Sequence, residues 1–138
     1  PDFNVQPGYI QIDADYRLEH ANLADLTHSS FTHDATIAMG LAQALAVPEH
    51  KVLPNDIKTD YWVRSVPPPK FVRHLFPEGF LCDAIFDITQ TVPLNWMLHF
   101  RVFTAGTATE GESNGQLVLD SWSCQTITPR DEDSVDYY

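Results

Sequence analysis

The ten prolines of this chain stand at positions 1, 7, 48, 54, 67, 68, 69, 77, 93 and 129, so almost every segment meets one. A proline lacks the backbone N–H and clashes with the preceding helical turn. Inside a sheet it is confined to edges and bulges. Long helices are therefore excluded, and short strands separated by turns are favoured. With 138 residues, 43% of them hydrophobic and 12% aromatic, the chain can still bury the core of one globular domain.

Strand patterns fill the spaces between these breaks. After the Pro7-Gly8 turn, Tyr9 to Tyr16 alternates: Ile10, Ile12, Ala14 and Tyr16 share one face, and Tyr9, Gln11, Asp13 and Asp15 the other. Ile57 to Val66 alternates and stops at Pro67-Pro68-Pro69; Phe71 to Phe76 is a short aromatic segment closed by Pro77-Glu78-Gly79. Phe80 to Thr89, Trp96 to Thr104 and Gln116 to Ile127 read as further strands, with a polar, glycine-bearing loop over 104–115. The spacing predicts that Trp96, Leu98, Phe100 and Val102 share a buried face. Residues 17–33 read as irregular. Asp34 to Ala46 is the expected helix, with Ile37, Leu41, Ala44 and Leu45 at helical spacing, Gly40 weakening it and Val47-Pro48 ending it.

The resulting expectation is an all-β fold, an antiparallel β-sandwich or barrel with one short helix in a connection, spanning residues 1–130 as a single domain. Residues 131–138 are expected to form an acidic, flexible tail.

A formal charge of −11 repels phosphate backbones and argues against direct nucleic-acid binding. No apolar run approaches the ~20 residues of a membrane span. Cys82 and Cys124 show no metal spacing and read as two reduced thiols, although two distant thiols also allow one bridge.

Asp13 and Asp15, with Glu19 and Asp25 beyond, form a candidate site for a hard cation such as calcium. Six to eight oxygens are needed, so waters or a second subunit would have to complete it; the competing reading is a solvated acidic strand end. Lys58, Arg64, Lys70 and Arg73 gather half of the basic residues in one stretch, either as an interface or RNA-facing cluster or as solvated strand faces. His28, Ser29, Ser30, His33 and Asp34 are the residue types of a hydrolytic triad but lack a nucleophile elbow. His28 and His33 also miss the i, i+4 spacing of helical zinc ligands, so both read as loop polarity.

The order of segments resembles the shell domain of coat proteins from small icosahedral positive-strand RNA viruses, of the sobemovirus, tombusvirus and nodavirus sort. The residues that carry the likeness are the strand from Tyr9 to Tyr16, the helix, and the ending Met97-Leu98-His99-Phe100-Arg101-Val102-Phe103, Gly115-Gln116-Leu117-Val118-Leu119-Asp120-Ser121-Trp122, Thr128-Pro129. The resemblance implies an antiparallel β-sandwich of jelly-roll type, here without readable counterparts of its first strands, in a self-assembling capsid protein of the virion with no enzymatic activity. Its partners would be other copies of itself or a companion capsid chain, with genomic RNA met only indirectly. It also implies calcium held between subunits, on positions matching Asp13 and Asp15.

Two other readings compete. One is a small-ligand-binding or hydrolytic β-barrel or hot-dog protein, its pocket lined by Trp62, Phe71, Phe80, Trp96 and Phe100. The other is a receptor- or carbohydrate-binding β module.

Overall fold

The computed structural model describes residues 4–91, 95–109 and 114–138. Pro1, Pro93 and the 110–113 part of the expected loop lie outside the described residues. The fold is all-β and antiparallel, with short helices in its connections. The strands are β1 (Ile10–Ile12), β2 (Glu49–Val52), β3 (Asp56–Val66), β4 (Cys82–Thr91), β5 (Asn95–Thr104), β6 (Leu117–Pro129) and β7 (Val135–Tyr137). Their order is β1-β7-β6-β5-β4-β3-β2, so from β2 to β7 each strand lies beside its successor. Two sheet portions share β6: its first ten residues face β5, and Ile127–Pro129 turn to pair with β7, giving the fold its sandwich-like form.

The helices sit where the sequence pattern had not put them. The strand expected to reach Tyr16 ends at Ile12, because Asp15 takes an extended backbone and its carboxylate accepts the N–H of Arg17 at 2.8 Å. That is an N-cap, and it starts α1 (Tyr16–Ala24) inside the segment read as irregular. The continuous helix expected over Asp34–Ala46 is absent. In its place stand two single turns, α2 (Ser29–Thr32) and α3 (Leu41–Ala44), separated at Gly40. Gly40 has φ +80, a left-handed backbone that ends any right-handed helix through it. Leu41 and Leu45 consequently remain exposed, while Ala38 and Met39 are buried.

The end of the chain also differs from the expected flexible tail. Val135 is 0% exposed, and β7 is hydrogen-bonded between β1 and β6. Net acidity concealed this, since the three residues that pair are Val135, Asp136 and Tyr137 among five carboxylates and hydroxyls. The Tyr9 hydroxyl donates to Asp136 at 2.8 Å and fastens the same corner.

The main core lies on one face of the sheet, around Tyr61, Val63, Phe86, Trp96, Phe100 and Val102. β5 is central and presents Trp96, Phe100 and Val102 to it, as its alternation implied; Leu98 is half-buried. Tyr61 stacks on Phe86 at 4.5 Å between centroids, and Phe86 meets Phe100 at 4.7 Å. At the far end of β3 the register slips between Val63 and Val66, and Ser65 takes φ +52. Asp83 holds that bulge: its carboxylate accepts from Ser65 N at 2.9 Å, from Gly106 N at 2.8 Å and from Arg64 at 3.2 Å.

Candidate functional site

Between the helical segment and the core face of the sheet lies a cavity of about 460 Å³, within the range of small-molecule sites. The sheet supplies an aromatic floor of Tyr61, Phe86, Trp96 and Phe100, with Ile88 and Leu98. These side chains share a face because they stand at alternate positions on β3, β4 and β5. The next strand in order, β6, adds a polar wall of Ser121, Ser123 and Gln125, and Tyr137 adds its phenol. The roof is Asn22, Leu23, Asp25 and Leu26 at the end of α1, then His28, Ser29 and His33 around α2.

His28 and His33 come together on this wall. They flank the single turn of α2, one at each end, and their rings meet edge-to-face at 5.3 Å between centroids. The His28 Nδ1 is hydrogen-bonded to the Asp25 carbonyl. A metal-ligating imidazole is commonly oriented in this way, with its remote nitrogen left to coordinate. Asp25 is itself fixed by Thr27, whose backbone N–H and hydroxyl donate to the carboxylate at 3.0 and 2.7 Å and hold it below its usual pKa. Among the described residues, no group of three His, Cys, Asp or Glu side chains gathers as a complete metal site. Two imidazoles are the nearest approach within the cavity.

Two features of the floor have physical consequences. Burial pushes the Tyr61 phenol up to about 12, with the Gln43 amide hydrogen-bonded to it at 3.4 Å. The Trp96 Nε1 is buried and has no hydrogen-bond partner, a condition costing about 1–3 kcal/mol if nothing answers it.

The residues singled out in the sequence are dispersed. Asp15 caps α1 and is ion-paired to Arg17, which holds its carboxyl down at about 2. Asp13 is exposed ahead of that cap, and Glu19 is half-buried in the first turn of the helix. Lys58 is exposed on β3, and Lys70 pairs with Asp34 at 2.9 Å. The guanidinium of Arg73 donates to the Pro68 carbonyl at 3.0 and 2.8 Å, and that of Arg64 lies 3.8 Å over Trp62. None of these seven lines the cavity. Of the five aromatics expected around a pocket, Phe71, Trp96 and Phe100 do line it. Trp62 packs by Phe103 and Arg64 instead, and Phe80 stacks on Phe76.

Sequence reasoning passed over the histidine pair because it tested for zinc ligands on one continuous helix. Asp25-x-x-His28-x-x-x-x-His33 breaks between two helices, and an i, i+5 pair can meet when each member sits at an end of one isolated turn. The signal available was the coincidence of both histidines with Asp25 and Asn22 in a segment bounded by apolar residues.

An all-β fold holding an aromatic cavity with paired imidazoles defines a small-molecule site, and the comparisons with known proteins give it a family. Residues 12–138 match the family model of the vanillate O-demethylase oxygenase C-terminal domain. The chain belongs to that family. Two crystal structures of dicamba monooxygenase have the same fold. The one bound to 3,6-dichlorosalicylic acid has a TM-score of 0.75 and 26% identity over 94% of this chain. The one bound to dicamba has a TM-score of 0.72 at the same identity and coverage. The chain spans only 36% and 35% of those two chains' lengths. No curated protein matches it.

These findings correct the resemblance to a viral shell domain. Alternation and proline breaks report which faces the longer strands bury, but not how the strands connect. The expected capsid role, the absence of enzymatic activity, the capsid and RNA partners and the location in a virion all rested on that likeness. The oxygenase family overturns each of them. Among the described residues, no helix is long and apolar enough to cross a membrane.

Proposed function

We propose that this chain is the substrate-binding part of a non-haem iron oxygenase that acts on aromatic compounds, with His28 and His33 as two of the metal's ligands. The observation that carries this is the pairing of two imidazoles on the wall of an aromatic cavity in a chain of an oxygenase family. Non-haem iron oxygenases use two histidines and one carboxylate and leave the remaining positions open. The donor set here fits two-thirds of that requirement, and the carboxylate would come from outside the described residues.

When bound, iron would supply the redox chemistry needed to use dioxygen. This chain's own residues do the rest. The Asp25 carbonyl fixes the His28 ring, and with it the tautomer that would leave Nε2 free to hold the metal. Tyr61, Phe86 and Phe100 form an apolar aromatic floor against which an aromatic ring is held and from which water is displaced. Oxidative demethylation, the reaction in the family's name, balances as an aryl methyl ether, dioxygen, two electrons and two protons going to a phenol, formaldehyde and water. An external reductant supplies the electrons.

The test is metal content in the full-length protein. Replacing His28→Ala or His33→Ala should each lower iron by about one atom per chain while the melting transition survives. The control His20→Ala removes a histidine of α1 and should leave iron unchanged. Wild-type iron in both cavity variants would exclude the pair as ligands.

A further inference from the structure

Tyr61 reaches from the sheet to the helical segment that packs over it. Its ring stacks on Phe86 of the cavity floor at 4.5 Å between centroids, and its hydroxyl meets the side-chain amide of Gln43, on α3, at 3.4 Å. Both residues are buried and both line the cavity. The direction of their hydrogen bond follows from the other end of the amide. Gln43 Oε1 accepts the Met39 N–H at 3.0 Å, which turns the NH2 end toward the phenol. An NH2 group can only donate, so the phenol oxygen accepts and its own proton points elsewhere.

Among the described residues no group accepts that proton. Left unanswered in a buried place it costs about 1–3 kcal/mol. The phenol does not relieve the cost by ionising, because burial pushes its pKa up to about 12. Phe86 covers one face of the ring, Gln43 occupies one side of the hydroxyl, and the open space that Tyr61 borders is the cavity. An acceptor held there, rather than one in the protein, completes the hydroxyl.

We infer that Tyr61 donates its proton to an oxygen substituent of the bound aromatic ligand, and that Gln43 aims it. The apolar floor gives the ring its affinity, and this one bond fixes which edge of the ring faces α3. The inference rests on the cavity being the aromatic site proposed above and adds to it a residue that orients the ligand. It places no condition on the ligand's charge, since an ether, a hydroxyl and a carboxylate oxygen all accept from a neutral phenol.

Equilibrium dialysis of the full-length protein at neutral pH tests this, with methoxybenzene and ethylbenzene as probes of nearly equal shape that differ by an ether oxygen against a methylene. Tyr61→Phe keeps the ring and its stack on Phe86 and removes only the hydroxyl. It should weaken methoxybenzene by about three- to tenfold, the worth of one hydrogen bond, and change ethylbenzene by less than about twofold. A hydroxyl that served packing alone would shift both probes alike or neither. Equal changes in the two affinities, or an unchanged affinity for methoxybenzene, would overturn the inference and leave the aromatic site standing. Binding of neither probe to the parent protein would overturn both. Iron measured in the same preparations keeps the metal reading separate: a protein that holds iron through His28 and His33 while its probes ignore Tyr61 sinks the orienting bond alone.

Discussion

Phe100 and Phe103 stand three residues apart on β5 but point to opposite faces, and truncating each should cost a different amount. Phe103 is 1% exposed and packs by Trp62 on the face away from the cavity. Phe100 is 9% exposed, stacks against Phe86, and has the cavity along one side. Core Phe→Ala changes cost about 3–5 kcal/mol, part of it from the void left behind. At Phe103 the whole void is new, which places the loss near the upper end, about 4–5 kcal/mol. At Phe100 some of that void exists already, so the loss should fall near about 3 kcal/mol even with the aromatic pair included. For a chain of this length about 1 kcal/mol moves the midpoint by roughly 3–4 °C. Scanning calorimetry should therefore put F100A about 10 °C below the parent and F103A about 3–8 °C lower again. An F100A loss below about 1 kcal/mol, or one larger than that of F103A, would refute the placement of the cavity against β5.

Three further outcomes follow from the same geometry. Tyr61 ionises near 10 when unfolded and near 12 when folded. Its contribution is therefore complete below pH 10 and is lost as the pH rises from there through 12. That amounts to about 2–3 kcal/mol, and Tyr61→Phe should flatten this part of the alkaline stability curve. Asp83→Ala should cost about 2–4 kcal/mol in a urea melt, because it strands the N–H groups of Ser65 and Gly106; a loss under about 1 kcal/mol would show that the bulge holds itself. Asp15 caps α1 with its carboxyl held at about 2, so its contribution is present above pH 4 and lost as the pH falls through 2. Asp15→Asn, which keeps a capping oxygen, should preserve more α1 protection in hydrogen exchange than Asp15→Ala.

What could be read in advance was whatever depends on local period. The faces of β5 followed from strict alternation, and the limits of β3 and β6 followed from Pro67 and Pro129. The helical region failed because its decisive residues act singly. Asp15 reads as one more acidic residue of a strand until its side chain is seen capping Arg17, and Gly40 reads as a weak point of a helix until its φ is known. The cavity was half legible: Trp96 and Phe100 alternate into it, but Tyr61 and Phe86 come from strands whose register no local pattern fixes. The histidine pair depends on a chain reversal around α2, which spacing rules for one regular helix do not cover.

The pairing of β1 with β7 joins Ile10 to Tyr137, contacts separated by nearly the whole chain. The segment that bears His28 and His33 runs between β1 and β2, so its leading end is anchored only when residues 135–137 are present to receive it. On a ribosome the meander from β3 to β6 has neighbours to pair with as it emerges. The leading end of the histidine segment, although made earlier, has no strand to pair with until β7 appears. The residues proposed to hold the metal are thus made before the strand that fixes the leading end of their segment.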